Sequence, residues 1–173
     1  MKFYSGFSLK NDEKYFKEYR NLSSYSVSGF SYGAIKALQS VQKTLEEGRR
    51  VDRLQLFSPA FFQTTSEKFK RLQTMSYKKN KEKYLNNFLK SCFSPYTQKE
   101  VMQKETRVEE LEELLNFEWS VLQLKNLLQK GVVLEIYLGE KDTIIDVSKA
   151  REFFLAFGSV TYIKNANHFL QIN

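Results

Sequence analysis

The chain has one cysteine, one histidine, two prolines and seven glycines among its 173 residues. A single thiol, Cys92, makes no internal disulfide and no thiolate metal site, so neither a crosslink nor a zinc cluster holds this protein together. Cys92 reads as a small buried residue. So few chain breakers leave little room for disordered or loop-rich tracts. No window approaches the roughly 20 apolar residues of a membrane span, and the opening MKFYSGFSLKND lacks the apolar run of a secretory signal. The expectation is a cytoplasmic protein without membrane contact, bound metal or cofactor.

Aromatics are plentiful, with 15 Phe and 10 Tyr, and 42% of the residues are hydrophobic. That supports one compact core, and the whole of 1–173 is read as a single domain. The net charge of +7 should attract something acidic, either nucleic acid or an acidic protein.

Hydrophobic periodicity gives an alternating order of elements. Met1 to Ser5 is a short strand, and Asn11 and Asp12 are candidate caps for a helix running to about Arg20. Tyr25 to Ser28 is a second strand. A helix starts at Tyr32, with Ile35, Leu38, Val41 and Leu45 on one face, and stops near Gly48. Val51 to Phe57 alternates as a strand and ends at Ser58-Pro59. From Phe61 to about Lys130 the composition shifts to helix formers, read as three or four helices with a break near Ser91 to Pro95. Val132 to Leu138 is a strand, Val147 to Phe157 a helix and Val160 to Lys164 the last strand. This order calls for an α/β fold with a parallel sheet of about five strands and crossover helices. Strands covered on both faces should be continuously apolar, yet Glu135 and Tyr137 interrupt Leu134, Ile136 and Leu138, and Arg53 and Gln55 interrupt Leu54 and Leu56. One sheet face is therefore expected to meet solvent or a partner subunit, with a homodimer as one solution.

Gly29-Phe30-Ser31-Tyr32-Gly33 is a G-x-S-x-G pentapeptide between a strand and a helix. A serine raised on so sharp a turn needs glycines beside it to leave room for the crowded backbone. A nucleophilic serine needs a base, and His168 follows the last strand in Asn165-Ala166-Asn167-His168-Phe169. The base needs a carboxylate to orient it. Asp142, in Gly139-Glu140-Lys141-Asp142 after the preceding strand, is the candidate, with Asp146 and then Glu140 as alternatives. All these positions fall at the carboxyl ends of strands, where open α/β sheets keep their sites.

The serine pentapeptide, the G-x-x-D turn and the late histidine, in the chain order Ser, Asp, His, resemble the α/β-hydrolase superfamily. The resemblance implies a Ser31–His168–Asp142 triad. It also implies an oxyanion hole from the backbone N–H groups of Tyr32 and of Phe7, since Ser5-Gly6-Phe7 is similar to the family's His-Gly-aromatic turn, with Ser5 in place of histidine. Against the family's usual size the resemblance implies a reduced fold, expected to begin at the third strand, to skip the fourth and to lack the final helix. Reduced in this way it is similar to the compact pimeloyl-acyl carrier protein methyl ester esterases of biotin synthesis, on Ser28-Gly29-Phe30-Ser31 and Ser58-Pro59-Ala60-Phe61-Phe62. That likeness implies a carboxylesterase releasing methanol from an ester borne by acyl carrier protein, with a general short-chain carboxylesterase, a thioesterase or a non-catalytic binding protein as other readings.

In the family, an insertion at the position of 61–130 forms a helical lid. Here its first half carries Lys70, Arg71, Lys78, Lys79, Lys81 and Lys83 among Phe69, Tyr77, Tyr84 and Phe88. The resemblance makes Lys78, Lys79 and Lys81 a docking patch for an acidic carrier protein, the field acting mainly on encounter rate; a solvated helix face is the other reading. Glu105, Glu109, Glu110, Glu112 and Glu113 make the second half acidic, which argues against nucleic acid. Phe61, Phe62, Trp119 and Leu122 either close an apolar acyl pocket or pack in the core.

Overall fold

The computed structural model describes residues 2–173; Met1, which opens the expected first strand, lies outside them. In chain order the elements are β1 (Lys2–Tyr4), β2 (Leu9–Lys10), a single 3-10 turn at Asp12–Phe16, β3 (Ser26–Phe30), α1 (Tyr32–Glu46), β4 (Arg53–Phe57), α2 (Glu67–Lys79), α3 (Lys81–Phe93), β5 (Met102–Gln103), α4 (Val108–Asn116), α5 (Val121–Gln129), β6 (Val133–Gly139), α6 (Val147–Phe154) and β7 (Ser159–Ile163). Five strands form one sheet in the order β1-β3-β4-β6-β7, parallel throughout. A two-stranded antiparallel sheet pairs β2 with β5, Leu9 opposite Gln103.

Each strand of the large sheet is added to the same edge in sequence order. Right-handed crossovers that all advance one way deposit their helices on one face. On that face Val27, Leu54, Leu56, Leu134, Ile136 and Leu138 pack with Ile35, Leu38 and Val41 of α1, Leu124 and Leu127 of α5, and Ala150 and Phe154 of α6. Each fully buried side chain of this size contributes about 1.5–3 kcal/mol. Serine and asparagine caps start three of the helices: Ser66 accepts from the Phe69 N–H, Asn80 from Lys83 and Ser120 from Gln123.

The opposite face is covered too, which corrects the expectation of an open one. Phe30 and Phe57 meet Phe16 of the 3-10 turn at 4.8 Å each, and Phe169 near the C-terminus lies 4.7 Å from Phe30. The polar positions that broke the apolar pattern are sealed in a network. Gln55 is 1% exposed; its Oε1 accepts from the Asn21 N–H at 2.7 Å, and its Nε2 donates to Tyr19 O at 2.9 Å and to Glu135 Oε2 at 2.8 Å. Arg53 pairs with Glu135 alongside. Alternation here marks a buried polar network beneath the 11–25 link. Exposure on this sheet falls mainly on the edge strand β7, at Ser159, Thr161 and Tyr162, with Lys2 of β1 and Val133 at the start of β6 also exposed.

The helix expected over 11–20 is also corrected. Asn11 is left-handed (φ 58) and makes no side-chain cap, while Asp12 turns inward and accepts the Gly6 N–H at 2.9 Å. The carboxylate serves a turn before it in the chain instead of a helix after it.

Candidate active site

β3 ends at Phe30, and Ser31 takes up φ 52 and ψ −116 before α1 begins. A residue with a Cβ in that region stores about 1–3 kcal/mol of strain, which its surroundings must hold. They do so by backbone hydrogen bonds: the Ser31 N–H donates to Phe57 O at 2.9 Å, and the Ala60 N–H donates to Ser31 O at 3.1 Å. The flanking glycines are explained by space. A Cβ on Gly29 would lie 2.2 Å from Gly33 O, and one on Gly33 would lie 2.0 Å from Tyr4 O and 2.5 Å from Ser5 O. The elbow thus rests backbone against backbone on the end of β1 and the turn after it.

His168 Nδ1 stands 2.6 Å from Asp142 Oδ2, and both side chains are sealed from solvent at 0% exposure. Oδ1 of the same carboxylate accepts the Ile144 N–H at 2.8 Å, so its orientation is fixed from two sides. With Nδ1 protonated and donating to Asp142, Nε2 is the free base nitrogen. Nε2 is buried with no hydrogen-bond partner among the described residues. The imidazole lies 5.0 Å from the ring of Phe30, the residue before Ser31. Backbone proximity delivers the histidine loop: a Cβ on Gly139 would stand 2.3 Å from Asn167 O, and buried Asn167 donates to Phe93 O at 2.9 Å. The two alternative acids are engaged elsewhere. Asp146 caps α6 through the Lys149 N–H at 3.0 Å, and Glu140 Oε2 accepts the Asn165 N–H at 2.8 Å.

The two expected oxyanion donors, the backbone N–H groups of Tyr32 and Phe7, enter none of the turn, loop or cap backbone hydrogen bonds of the described residues. Tyr32 is the first residue of α1, and a helix's first N–H groups have no intrahelical partner; the positive end of the helix dipole lies there as well. The Phe7 N–H is fixed by its own peptide plane. Gly6 O accepts the Leu9 N–H at 3.1 Å, and in a trans peptide the N–H points opposite to the C=O, so the Phe7 N–H is directed away from the turn. The Phe7 and Tyr32 rings meet edge to face, 6.3 Å apart.

No family model and no curated protein matches the sequence. Among solved structures, Est816, described as an N-acyl homoserine lactone degrading enzyme, matches at a TM-score of 0.64 and 12% identity over 99% of this chain and 86% of its own. BioG from Haemophilus influenzae matches at 0.62 and 10% identity, over 98% and 88%. Naproxen esterase from Bacillus subtilis matches at 0.50 and 18% identity over 85% of this chain, which spans 54% of that esterase. The chain has the α/β-hydrolase fold.

On this α/β-hydrolase scaffold the segments between β4 and β6, with Phe7, Thr143 and Ile144, border an open cavity of about 670 Å³ whose lining does not include Ser31, Asp142 or His168. Its apolar wall includes Phe7, Phe62, Phe88, Leu111, Leu115 and Ile144, so it reaches the turn carrying the Phe7 amide and the loop carrying Asp142; Lys79 and Lys83 contribute to its polar side. Of the four expected pocket residues, Phe62 alone lines it. Phe61 and Trp119 are core, packed on Phe154 at 5.9 and 5.1 Å, with Trp119 Nε1 donating to Ala60 O at 2.8 Å. Leu122 is 79% exposed. The expected docking lysines also divide. Lys78 pairs with Glu112 at 3.2 Å and Lys81 with Glu105, whereas Lys79 has no ion pair among the described residues. The acidic half of this region thus engages two residues of its basic half.

Two features near the elbow were missed from sequence. Asp12 is 1% exposed; burial raises its pKa, against the pull of the Ser5 hydroxyl and the Gly6 N–H. Tyr32 donates its hydroxyl to Glu113 of α4, and burial, then this hydrogen bond and the charge of Glu113, raise its pKa. Neither pairing leaves a spacing signal, because the partners come from irregular or distant segments. Among the described residues no group of three or more His, Cys, Asp or Glu could hold a metal ion, and no helix is long and apolar enough to cross a membrane.

Proposed function

We propose that the protein is a serine carboxylesterase in which Ser31 is the nucleophile, His168 the general base and Asp142 the residue that orients the imidazole. The observation that carries this reading is the sealed 2.6 Å His168–Asp142 contact, with the imidazole 5.0 Å from the ring of Phe30, the residue before the strained elbow serine. His168 Nε2 takes the Ser31 proton as Oγ attacks the ester carbonyl. The Tyr32 and Phe7 N–H groups receive the oxyanion, His168 returns the proton to the departing alcohol, and water then releases the acid by the same steps. The region 61–130 acts as the lid over the acyl chain.

For the substrate we propose the methyl ester of a pimeloyl group carried by acyl carrier protein. Supporting it are the likeness of Ser28–Ser31 and Ser58–Phe62 to segments of such esterases, the fold likeness to BioG, and a partly apolar cavity bordered by Phe7 and Ile144. Docking of the acidic carrier falls to Lys79 of the expected patch, joined by Lys83 at the cavity, because Lys78 and Lys81 are already paired.

The test is methanol release from pimeloyl-acyl carrier protein methyl ester, beside Ser31→Ala and p-nitrophenyl acetate. Release abolished by Ser31→Ala supports both nucleophile and substrate. Turnover of the small ester alone keeps the nucleophile and discards the carrier-bound substrate. Silence on both, with no fluorophosphonate labelling of Ser31, overturns the esterase reading.

A further inference from the structure

Asp12 lies outside the proposed triad and its carboxylate cannot reach substrate except through the backbone, yet it is one of the most enclosed charged side chains in the protein, at 1% exposure. Its Oδ2 accepts the Gly6 N–H at 2.9 Å, the Ser5 hydroxyl faces the same carboxyl group, and Oδ1 has no hydrogen-bond partner among the described residues. A buried carboxylate with one oxygen idle is costly, and such groups persist where the remaining contact matters. What that contact holds is the Ser5–Gly6 peptide, while the Leu9 N–H on Gly6 O at 3.1 Å holds the next one. The two consecutive peptide planes leading to the Phe7 N–H are therefore both pinned. The turn has no regular structure of its own to do this. It lies against the elbow, with Tyr4 O and Ser5 O occupying the space a Gly33 side chain would need.

From this geometry we infer that Asp12 is a positioning residue for the oxyanion-hole amide of Phe7, acting through the Gly6 N–H. The inference rests on the esterase reading above. A donor a fraction of an ångström out of place stabilises the tetrahedral oxyanion less while binding the planar ester almost as well, so loss of Asp12 acts on kcat and spares KM. The role needs an acceptor and not a charge, so asparagine serves.

The experiment compares Asp12→Ala and Asp12→Asn with the parent on p-nitrophenyl acetate, with circular dichroism to verify folding and Ser31→Ala as control. The expected result is a kcat about tenfold or more lower in Asp12→Ala, approaching the range for loss of one oxyanion donor, with KM nearly unchanged, and recovery in Asp12→Asn. A folded Asp12→Ala with parental kcat, or an Asn variant as impaired as Ala, overturns the inference. A measurement on the parent needs no variant to fold: when a fluorophosphonate modifies Ser31, the Phe7 amide proton resonance should move downfield as it binds the phosphonyl oxygen. Modification of Ser31 with an unmoved Phe7 amide defeats the role of this turn and leaves the esterase reading intact, whereas no modification defeats the esterase reading itself.

Discussion

The Tyr32 hydroxyl and the Lys36 ammonium, one turn apart on α1, converge on the Glu113 carboxylate of α4, with Lys36 Nζ at 2.6 and 2.7 Å from its two oxygens. The helix that begins at the proposed nucleophile is thereby tied to the wall of the cavity. Burial works to raise the Glu113 pKa, but hydrogen bonds from Lys36, Tyr32 and Gln39 outweigh it and hold the carboxyl below its ordinary 4.5. A carboxylate lowered on folding stabilises the protein above its unfolded pKa and loses that contribution as the pH falls through the folded value. With the Lys36 and Glu113 side chains 34% and 35% exposed, solvent screening limits the contribution to about 1 kcal/mol. Glu113→Gln should melt below the parent at pH 7, and the gap should close below about pH 4.5. A gap that persists in thermal melts at pH 3 would remove the ionic account.

Gly33→Ala should be among the most damaging single substitutions. Its Cβ would stand 2.0 Å from Tyr4 O, and a backbone atom has no rotamer by which to move aside. Either β1 separates from α1, with a loss of about 3 kcal/mol or more, or the elbow shifts and Ser31 loses reactivity. Gly48→Ala is the control: nothing lies within 4 Å, and its φ of +72 sets a cost of about 1 kcal/mol. Denaturant melts and fluorophosphonate labelling of both variants check the contrast. A Gly33→Ala loss no greater than that of Gly48→Ala would mean that the chain relieves the close approach by a small shift.

Local pattern made the five strands of the large sheet and most helices legible, but not β2 and β5, whose pairing lies across a long separation. Ile35, Leu38 and Val41 recur at helical spacing, and α1 does occupy Tyr32–Glu46; Gly29 and Gly33 flank Ser31 because a turn that sharp admits nothing larger. The break expected near Ser91 to Pro95 falls where α3 ends, at Phe93. What stayed hidden depends on contacts across long separations. Gln55 looked like a solvent-facing residue because its partners Tyr19 and Asn21 lie in a link without periodicity. Asp12 looked like a cap because nothing in the sequence shows that the chain folds back on Gly6. The basic run after Phe69 looked free because its partners Glu105 and Glu112 lie 24 and 34 positions further on.

The Gln55 network gives a test of buried polarity. Gln55→Ala removes an acceptor for the Asn21 N–H and the donor to Tyr19 O and Glu135. Groups left unpaired cost about 1–3 kcal/mol each when water cannot reach them. The expected loss in urea melts is about 2–4 kcal/mol, with little change in any KM for p-nitrophenyl acetate because the network lies under the sheet. A loss under 1 kcal/mol would show that water enters beneath the 11–25 link and repairs the network.

The lysines separate two kinds of contribution. Lys78 and Lys81 join α2 and the start of α3 to the acidic segment by pairing with Glu112 and Glu105, and Lys81 also donates to Thr106 O at 2.6 Å. Replacing them by glutamate sets like charges face to face and should lower the melting temperature and turnover of every ester alike. Lys79 and Lys83 have no ion pair among the described residues and contribute to the cavity side, so glutamate there costs little stability. If an acidic carrier presents the substrate, Lys79→Glu with Lys83→Glu should slow capture of the carrier-bound ester, lowering kcat/KM about tenfold at low salt, while sparing p-nitrophenyl acetate. The deficit should shrink as salt screens the encounter. A double variant that handles both esters as the parent does would assign these lysines to a solvated helix face and leave the carrier without a docking site here.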